Sequence, residues 1–275
     1  MATAARYAEL QVTTNFSFLR GASHADELAA TAKARGLDAM AVTDRNTLAG
    51  IVRAHVAAKE VGLRLVVGAR LDLDDAPSLL CYPTDRAAYG RLCRLLSLGQ
   101  GRAKKGACML RLADVAALAE GQIFIAVPPE DWDWREATHS RKSANVVALT
   151  PRRVPSSTVA DPPQPDLEGS NLERTLGQLK TALGHARLYL GVSNRHRGDE
   201  RARMAPLAGI GRSTGTPPVA VGDVLYHEPH RRPLQDVLTC VRSGATITDA
   251  GLRLEANAER HLKSPREMQQ LFDGY

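Results

Sequence analysis

YAELQVTTNFSFLRGASHADELAATAKARGLDAMAV, residues 7–42, holds the first unit of the pattern that decides the fold. An apolar strand over residues 7–12 precedes a helix. The N-cap signal of this helix is Ser23, followed by the acidic residues Asp26 and Glu27, and Gly36 is its C-terminal stop. A buried strand over residues 38–42 follows the helix. A strand, a helix and a second strand in this order predict a parallel pair joined by a right-handed crossover.

The same alternation runs through most of the chain. Further strands are predicted over residues 63–67, 78–82, 122–127, 187–192 and 218–222. Helices are predicted over residues 46–62, 85–98, 112–120, 171–183 and 198–210, with two or three more towards the end of the chain. Six or seven β/α units predict an α/β fold that closes most economically into a barrel, and 275 residues suit one such domain.

One segment, at about residues 129–170, breaks the alternation. It holds several prolines between residues 151 and 165, and proline breaks helix interiors and cannot donate to a sheet ladder. We therefore expect an irregular, proline-rich insertion or loop here. Because the alternation resumes directly afterwards, the prediction is a single domain over residues 1–275 that contains this insertion.

Composition favours a globular protein with a mildly basic surface. Hydrophobic residues make up 44% and charged residues 24% of the chain, which supplies a core and argues against disorder. A net charge of +6 favours acidic partners, nucleic acid first, although such a balance is more often a mixed solvated surface. The cysteines lack paired spacing, and no signal peptide or membrane-spanning run is found, so we expect reduced thiols in the cytoplasm and no membrane partner.

Polar residues follow three of the predicted strands at the point where each strand ends. They are Thr43-Asp44-Arg45, Gly68-Ala69-Arg70 and Gly222-Asp223-Val224-Leu225. The carboxyl ends of the strands in a parallel barrel meet at one rim, where functional side chains lie. Burying a lone carboxylate is costly, so an aspartate at such a position needs a partner. For either aspartate alone, helix capping or an ion pair is a sufficient explanation. Two aspartates at the same rim favour a site there.

Several long motifs resemble one known family. The motifs are YAELQVTTNFSFLRGASH, VTDRNTLAG, GRLCRL, GDVLYHEPHRRPLQDVLTCVRSG and LEANAERHLKSPREMQQLF. They resemble the polymerase-and-histidinol-phosphatase (PHP) domain of bacterial DNA polymerase III alpha subunits, and most of all their error-prone, damage-induced branch. The resemblance spans nearly the whole chain and is weakest at about residues 129–170. It implies a distorted (β/α)7 barrel, a TIM-like barrel of the PHP type, with additional C-terminal helices.

The resemblance also implies a metal site, and this chain departs from it. Metal-bearing members hold two or three divalent ions with His, Asp, Glu and Cys side chains. The matching positions here are Gln11, Thr13, Arg20, Asp44, Arg45, Arg70, Asp223 and Leu225. Only Asp44 and Asp223 are kept, and two carboxylates do not make a polynuclear site. We therefore expect a vestigial pocket with no catalytic residue, no metal and no cofactor.

The two arginines at the rim allow two interpretations. Arginine stays protonated at any relevant pH and repels a divalent cation, so Arg45 and Arg70 argue against metal. They could replace the metals as counter-charges for Asp44 and Asp223, which would keep the rim neutral. Alternatively, both arginines point into solvent.

Two further sites can be suggested from spacing. Arg102, Lys104 and Lys105, in the Gly-rich turn over residues 99–107, could contact DNA or a neighbouring domain, although such a loop is usually only solvated. His227 and His230 have the spacing of metal ligands. Pro229 between them disfavours a regular helix, so a surface loop is the favoured interpretation.

The function that the resemblance implies is structural. The chain would be the PHP domain of an error-prone, translesion DNA polymerase, docked against the remaining domains of that polymerase, which lie downstream and have no counterpart here. The parent would bind DNA and use Mg²⁺ for DNA synthesis in repair. One alternative is a Zn²⁺- or Mn²⁺-dependent phosphoesterase or 3′–5′ proofreading exonuclease. Another is a barrel that binds phosphate or DNA without cleaving it.

Overall fold

The computed structural model describes residues 5–129, 132, 172–184 and 186–274. The proline-rich insertion predicted at about residues 129–170 therefore lies almost wholly outside the described residues. Within the described part of the chain, every helix is too short or too polar to cross a lipid bilayer.

Strands and helices alternate along the chain, as the sequence predicts. The strands are β1 (Ala8–Val12), β2 (Ala39–Val42), β3 (Arg64–Val67), β4 (Ala69–Leu71), β5 (Leu79–Pro83), β6 (Gln122–Ala126), β7 (Arg187–Val192) and β8 (Pro218–Ala220). The helices are α1 (Ala25–Ala34), α2 (Ile51–Val61), α3 (Arg86–Arg102), α4 (Leu112–Ala117), α5 (Leu172–Leu183), α6 (Glu200–Thr214), α7 (Arg232–Ser243) and α8 (Pro265–Leu271). Short 3₁₀ turns, Pro229–Arg231 and Gly251–Arg253, flank α7.

The boundaries of several helices differ from the sequence prediction. The N-cap of α1 is His24 rather than Ser23, and the His24 amide donates to the Glu27 carboxylate over 2.8 Å. Helix α2 begins at Ile51, after a loop that carries polar residues of the rim. Helix α3 continues to Arg102, so the basic turn starts four residues later than predicted.

The described strands form two sheets, in the orders β1-β2-β3 and β4-β5-β6-β7-β8. Every pair in the first sheet is parallel, as are β6-β7 and β7-β8, whereas β5 is antiparallel to both of its neighbours. The prediction of a wholly parallel sheet is therefore wrong at β5. Only residues 72–78 join β4 to β5, and a parallel connection needs a crossover of a dozen or more residues.

The two sheets meet at two places. Isolated bridges pair Val12 with Val224 and Arg45 with Arg70. At the first place, the Thr13 amide donates to the Val224 carbonyl over 2.9 Å. At the second, the Arg70 amide donates to the Asp44 carbonyl over 3.0 Å. The described strands thus form a mixed α/β fold of two bridged sheets, and no single closed barrel is found among them.

Apolar side chains from both sheets and their helices form the core. The cluster on the first sheet joins Leu28 of α1, Met40 of β2 and Ala54 of α2, all fully buried. The larger cluster joins Leu79 of β5 and Phe124 of β6 with apolar residues of α3, α5 and β7. Burying one such large apolar side chain stabilises the fold by about 1.5–3 kcal/mol. This packing fixes the ends of the strands that carry the candidate site.

Candidate functional site

The predicted pocket residues gather where β1, β2, β4 and β8 end. Gln11, Thr13, Asp44, Asp223 and Leu225 are buried there, and the arginines at positions 20, 45 and 70 are partly buried. The side chain of Leu225 packs with Ala22 and Tyr226 in a small apolar cluster. The structure therefore brings the sequence-predicted positions to one rim.

Two guanidiniums and one side-chain amide hold the carboxylate of Asp223. It forms ion pairs with Arg195 and, over 2.7 Å, with Nη2 of Arg260, and it accepts a 2.7 Å hydrogen bond from Nε2 of Gln11. The backbone of Asp223 is held at φ 50°, a left-handed conformation that few residues other than glycine adopt. Burial alone would raise the pKa of Asp223, but the guanidiniums of Arg195 and Arg260 outweigh burial and hold this pKa well below its usual range.

Arg45 and Arg70 share a different carboxylate, that of Asp72. Nη1 of Arg45 lies 2.8 Å from Oδ2 of Asp72, and Nε of Arg70 lies 3.1 Å from Oδ1. The Ser78 hydroxyl also donates to Oδ1 over 2.7 Å. Burial opposes ionisation of Asp72, but Arg70 and Arg45 together lower its pKa to about 2.

These contacts correct the two sequence interpretations of the arginines. Neither guanidinium points freely into solvent, since the exposed fractions of the Arg45 and Arg70 side chains are only 22% and 13%. Neither makes its close ion pair with Asp44 or Asp223. The counter-charge of both arginines is the carboxylate of Asp72.

The hydroxyl-rich loop that follows β1 binds the carboxylate of Asp44. The Thr14 amide and the Ser17 hydroxyl donate to Oδ1 over 2.8 and 2.7 Å, and the Thr14 hydroxyl donates to Oδ2 over 2.7 Å. Burial raises the pKa of Asp44, and these hydrogen bonds offset part of that effect. Both carboxylate oxygens are thus occupied by protein donors.

Two glycines allow this loop to close over Asp44. A Cβ atom on Gly21 would lie 2.2 Å from the Thr14 carbonyl oxygen, and one on Gly50 would lie 2.8 Å from Oδ2 of Asp44. Backbone atoms cannot move aside as a flexible side chain can. A side chain at either glycine would therefore push the loop away from Asp44.

Arg20 adds a further cation to the rim. Burial lowers its pKa to about 9, and repulsion from Arg45 and Arg242 contributes to the same shift. Burial and Arg70 likewise lower the pKa of Arg45 to about 10. The pocket therefore concentrates positive charge.

The donors present do not fit a polynuclear metal centre. Such a centre needs several N, O or S donors with free lone pairs, whereas the oxygens of Asp44 and Asp223 are engaged by hydroxyl, amide and guanidinium donors. In the described part of the chain, the group of three side chains close enough to share an ion is His227, Glu228 and His230, which shares no residue with this pocket.

Sequence reasoning missed four charged residues of this region. Arg195 lies three residues beyond the apolar strand β7, a signal similar to the one that identified Asp44, so it could have been found. Asp72 follows β4, a three-residue strand that the sequence pattern does not reveal. Arg260 and Glu9 carry no such signal. Glu9 is buried within β1, where it accepts hydrogen bonds from the Gln11 and Gly222 amides and from the Tyr7 hydroxyl at 2.8–3.0 Å.

Glu9 has no close cationic partner among these contacts. Burial, the largest influence, raises its pKa to about 7, and the two amides reduce the shift. Glu9 is therefore a buried carboxyl group that titrates near neutral pH.

The charged residues of the basic turn are on the surface. Arg102 ends α3 and forms a 2.7 Å ion pair with Asp114 on the surface, while Lys104 and Lys105 are exposed. Their role in contacting DNA or another domain stays a prediction.

Comparison with known proteins places these features in a family. The model of the family described as the PHP domain matches residues 9–195. The error-prone DNA polymerase of Caulobacter vibrioides is 49% identical over 268 residues, which cover 97% of this chain and 21% of that protein. Error-prone DNA polymerase 1 of Agrobacterium fabrum is 45% identical over 273 residues, 99% of this chain and 22% of that protein. The chain thus spans about a fifth of the length of these relatives.

One solved structure supports the fold. A candidate metal-dependent phosphoesterase from Bifidobacterium adolescentis superposes with a TM-score of 0.50 at 14% sequence identity. The match covers 80% of this chain and 87% of that chain. At this identity the likeness concerns the fold alone.

Proposed function

This chain belongs to the PHP domain family, and we propose that it serves an error-prone DNA polymerase as a structural, domain-docking unit without a metal centre of the family type. One observation carries the proposal. The aspartates kept at the pocket are held by arginines, hydroxyls and amides of the chain itself. The ion-pair network around Asp72 and Asp223 then provides the charge balance that metals provide in metal-bearing members.

Electrostatics support the absence of metal from this pocket. A guanidinium about 5 Å from a divalent ion raises its energy by several kcal/mol even at an effective dielectric constant of about 20. Arg195 and Arg260 are paired with Asp223, one of the two carboxylates that an ion would need, and Arg45 and Arg70 add positive charge nearby through their pairs with Asp72. Binding an ion would also break ion pairs that are already formed.

We further propose that the two sheets are parts of the distorted (β/α)7 barrel that the family resemblance implies. Strands β3 and β4 are separated only by Gly68, where a Cβ atom would lie 2.8 Å from the Tyr82 ring. The chain therefore passes from one sheet to the other at Gly68. The bridges at Val12–Val224 and Arg45–Arg70 support the same ring of strands.

The parent protein is proposed to synthesise DNA across lesions during repair, with Mg²⁺ as its cofactor. Support comes from the two relatives named as error-prone DNA polymerases, which are about five times as long as this chain. The partners of this domain would then be the remaining domains of the same polypeptide, and DNA would be bound by the whole protein.

An exposed apolar surface on α7 is the proposed docking face. Phe18, Leu234 and Leu238 line a groove of about 230 Å³. Exposure of the large apolar side chains here reaches 81% for Phe18, 41% for Leu234, 50% for Val237 and 60% for Val241. Contiguous apolar surface of this kind marks interaction sites. Its occupant is proposed to be another domain of the same polymerase.

Replacing Leu234 by glutamate tests this docking face. We expect the isolated chain to keep its melting temperature, because an exposed substitution changes stability by only about 0.5 kcal/mol. In the polymerase that contains this domain, burying the new charge in the interface costs at least about 1 kcal/mol and so weakens docking. We therefore expect limited proteolysis of the variant polymerase to become about five-fold faster or more. Val52→Glu, an exposed substitution on α2, is the matched control. Equal proteolysis of the two variant polymerases would contradict the docking face.

A barrel that binds phosphate or DNA without cleaving it is the second candidate function. It is favoured by the five arginines of the rim (20, 45, 70, 195 and 260), among which repulsion from neighbouring guanidiniums contributes to the lowered pKa values of Arg20 and Arg45. Binding of single-stranded DNA by the isolated chain that weakens as salt is added would support this candidate.

A further inference from the structure

A short loop beyond β8 brings two histidines and a glutamate together. The 3₁₀ turn Pro229–Arg231 reverses the chain, so that the ring centroids of His227 and His230 lie 5.5 Å apart at an angle of 84°. Nδ1 of His230 lies 3.2 Å from Oε2 of Glu228. One possible ligand atom from each residue lies within 4.8 Å of the others. Pro229 prevents a regular helix, as the sequence suggests, but the turn that it begins gathers the three side chains.

Ser23 fixes the orientation of the most buried of these side chains. Nδ1 of His227 lies 2.7 Å from the Ser23 hydroxyl oxygen, which also accepts a 3.0 Å hydrogen bond from the His227 amide. When Nδ1 carries the proton and donates it to Ser23, the lone pair of Nε2 is left for a ligand. Imidazoles that bind metals commonly donate their second nitrogen in this way. This contact also explains why Ser23 does not cap α1.

The charges around the loop do not oppose a cation. Arg231 is ion-paired with Glu27, and Arg35 lies 3.5 Å from the carboxylate of Glu267. Burial lowers the pKa of His227.

We propose that His227, Glu228 and His230 form a surface site for a divalent transition metal, with Zn²⁺ as the best fit. Two imidazoles and one carboxylate supply three protein ligands, and water completes the tetrahedral coordination that Zn²⁺ favours. The site is separate from the pocket at the ends of the strands, so either one can exist without the other.

Zinc titration of the chain against a chromophoric chelator tests the site. We expect one Zn²⁺ to bind per chain, and Glu228→Gln and His230→Gln each to weaken binding about ten-fold or more. His230 is exposed, so the second variant should fold normally, which its melting temperature would verify. His55→Gln, which removes an exposed histidine on α2, should bind zinc like the unchanged chain.

Three results would overturn the site. They are the absence of zinc binding at zinc concentrations well above that of the protein, unchanged affinity in His230→Gln, and an equal loss of affinity in His55→Gln. Zinc that remains on the Glu228→Gln/His230→Gln double variant would be bound elsewhere. It would therefore count against this site without deciding whether the pocket around Asp44 and Asp223 binds metal.

Discussion

Asp223→Asn is expected to lower the free energy of unfolding by about 3–5 kcal/mol, because it leaves the guanidiniums of Arg195 and Arg260 buried without their shared carboxylate. Asparagine keeps the size of the side chain and tolerates the left-handed backbone at this position, so the change isolates the charge. Urea unfolding at neutral pH measures the loss. The aspartate pKa is lowered by folding, so its stabilisation is present above the ordinary aspartate pKa and fades as the pH falls below it.

A surface ion pair provides the control for this variant. Arg6 and Asp38 lie 2.9 Å apart, and both side chains are exposed, so Asp38→Asn should cost no more than about 1 kcal/mol. If Asp223→Asn costs no more than Asp38→Asn, the pocket network does not stabilise the fold, and the structural role proposed for its arginines is wrong.

Glu9 is expected to make stability depend on pH near neutrality. Its pKa is about 7 in the folded chain against an ordinary value of 4.5, so its contribution is complete below pH 4.5 and is lost as the pH rises through about 7. The difference between these two pKa values corresponds to a contribution of about 3 kcal/mol at most to the free energy of unfolding. Glu9→Gln removes the ionisable group, and its stability relative to the unchanged chain should rise by that order between pH 5 and pH 8.

Urea unfolding at several pH values gives this comparison. Other groups also titrate, so the difference between the two proteins, and not the slope of either one, reports on Glu9. Glu60→Gln, which alters an exposed residue of α2, should show no such difference. A constant gap between Glu9→Gln and the unchanged chain from pH 5 to pH 8 would show that the buried carboxyl group does not titrate there.

The order of strands and helices could be predicted from sequence because local patterns encode it. The strand predicted over residues 38–42 is found as β2, Ala39–Val42. The direction of β5 could not be predicted, since a short apolar run has the same sequence pattern in parallel and antiparallel sheets. Strand β4 was missed because Gly68 separates it from β3 by a single residue.

The sequence predicted residues of the pocket but not which of them form ion pairs with one another. Asp44 and Asp223 each follow an apolar strand, and that signal selected both as pocket residues. Which carboxylate faces which guanidinium depends on the register between sheets and on side-chain direction. Arg45 reaches Asp72, 27 residues away, and Arg260 reaches Asp223 from the loop before α8. No spacing in the sequence encodes those contacts.

Manganese titration of the Glu228→Gln/His230→Gln double variant, followed through the electron paramagnetic resonance signal of free Mn²⁺, tests the central claim most directly. This variant lacks the proposed surface site, so any remaining stoichiometric binding reports on other metal sites, above all the pocket. The arginine and hydroxyl contacts of Asp44, Asp72 and Asp223 predict that all the Mn²⁺ remains free. One or more ions bound per chain, and released by Asp44→Asn, would contradict the account.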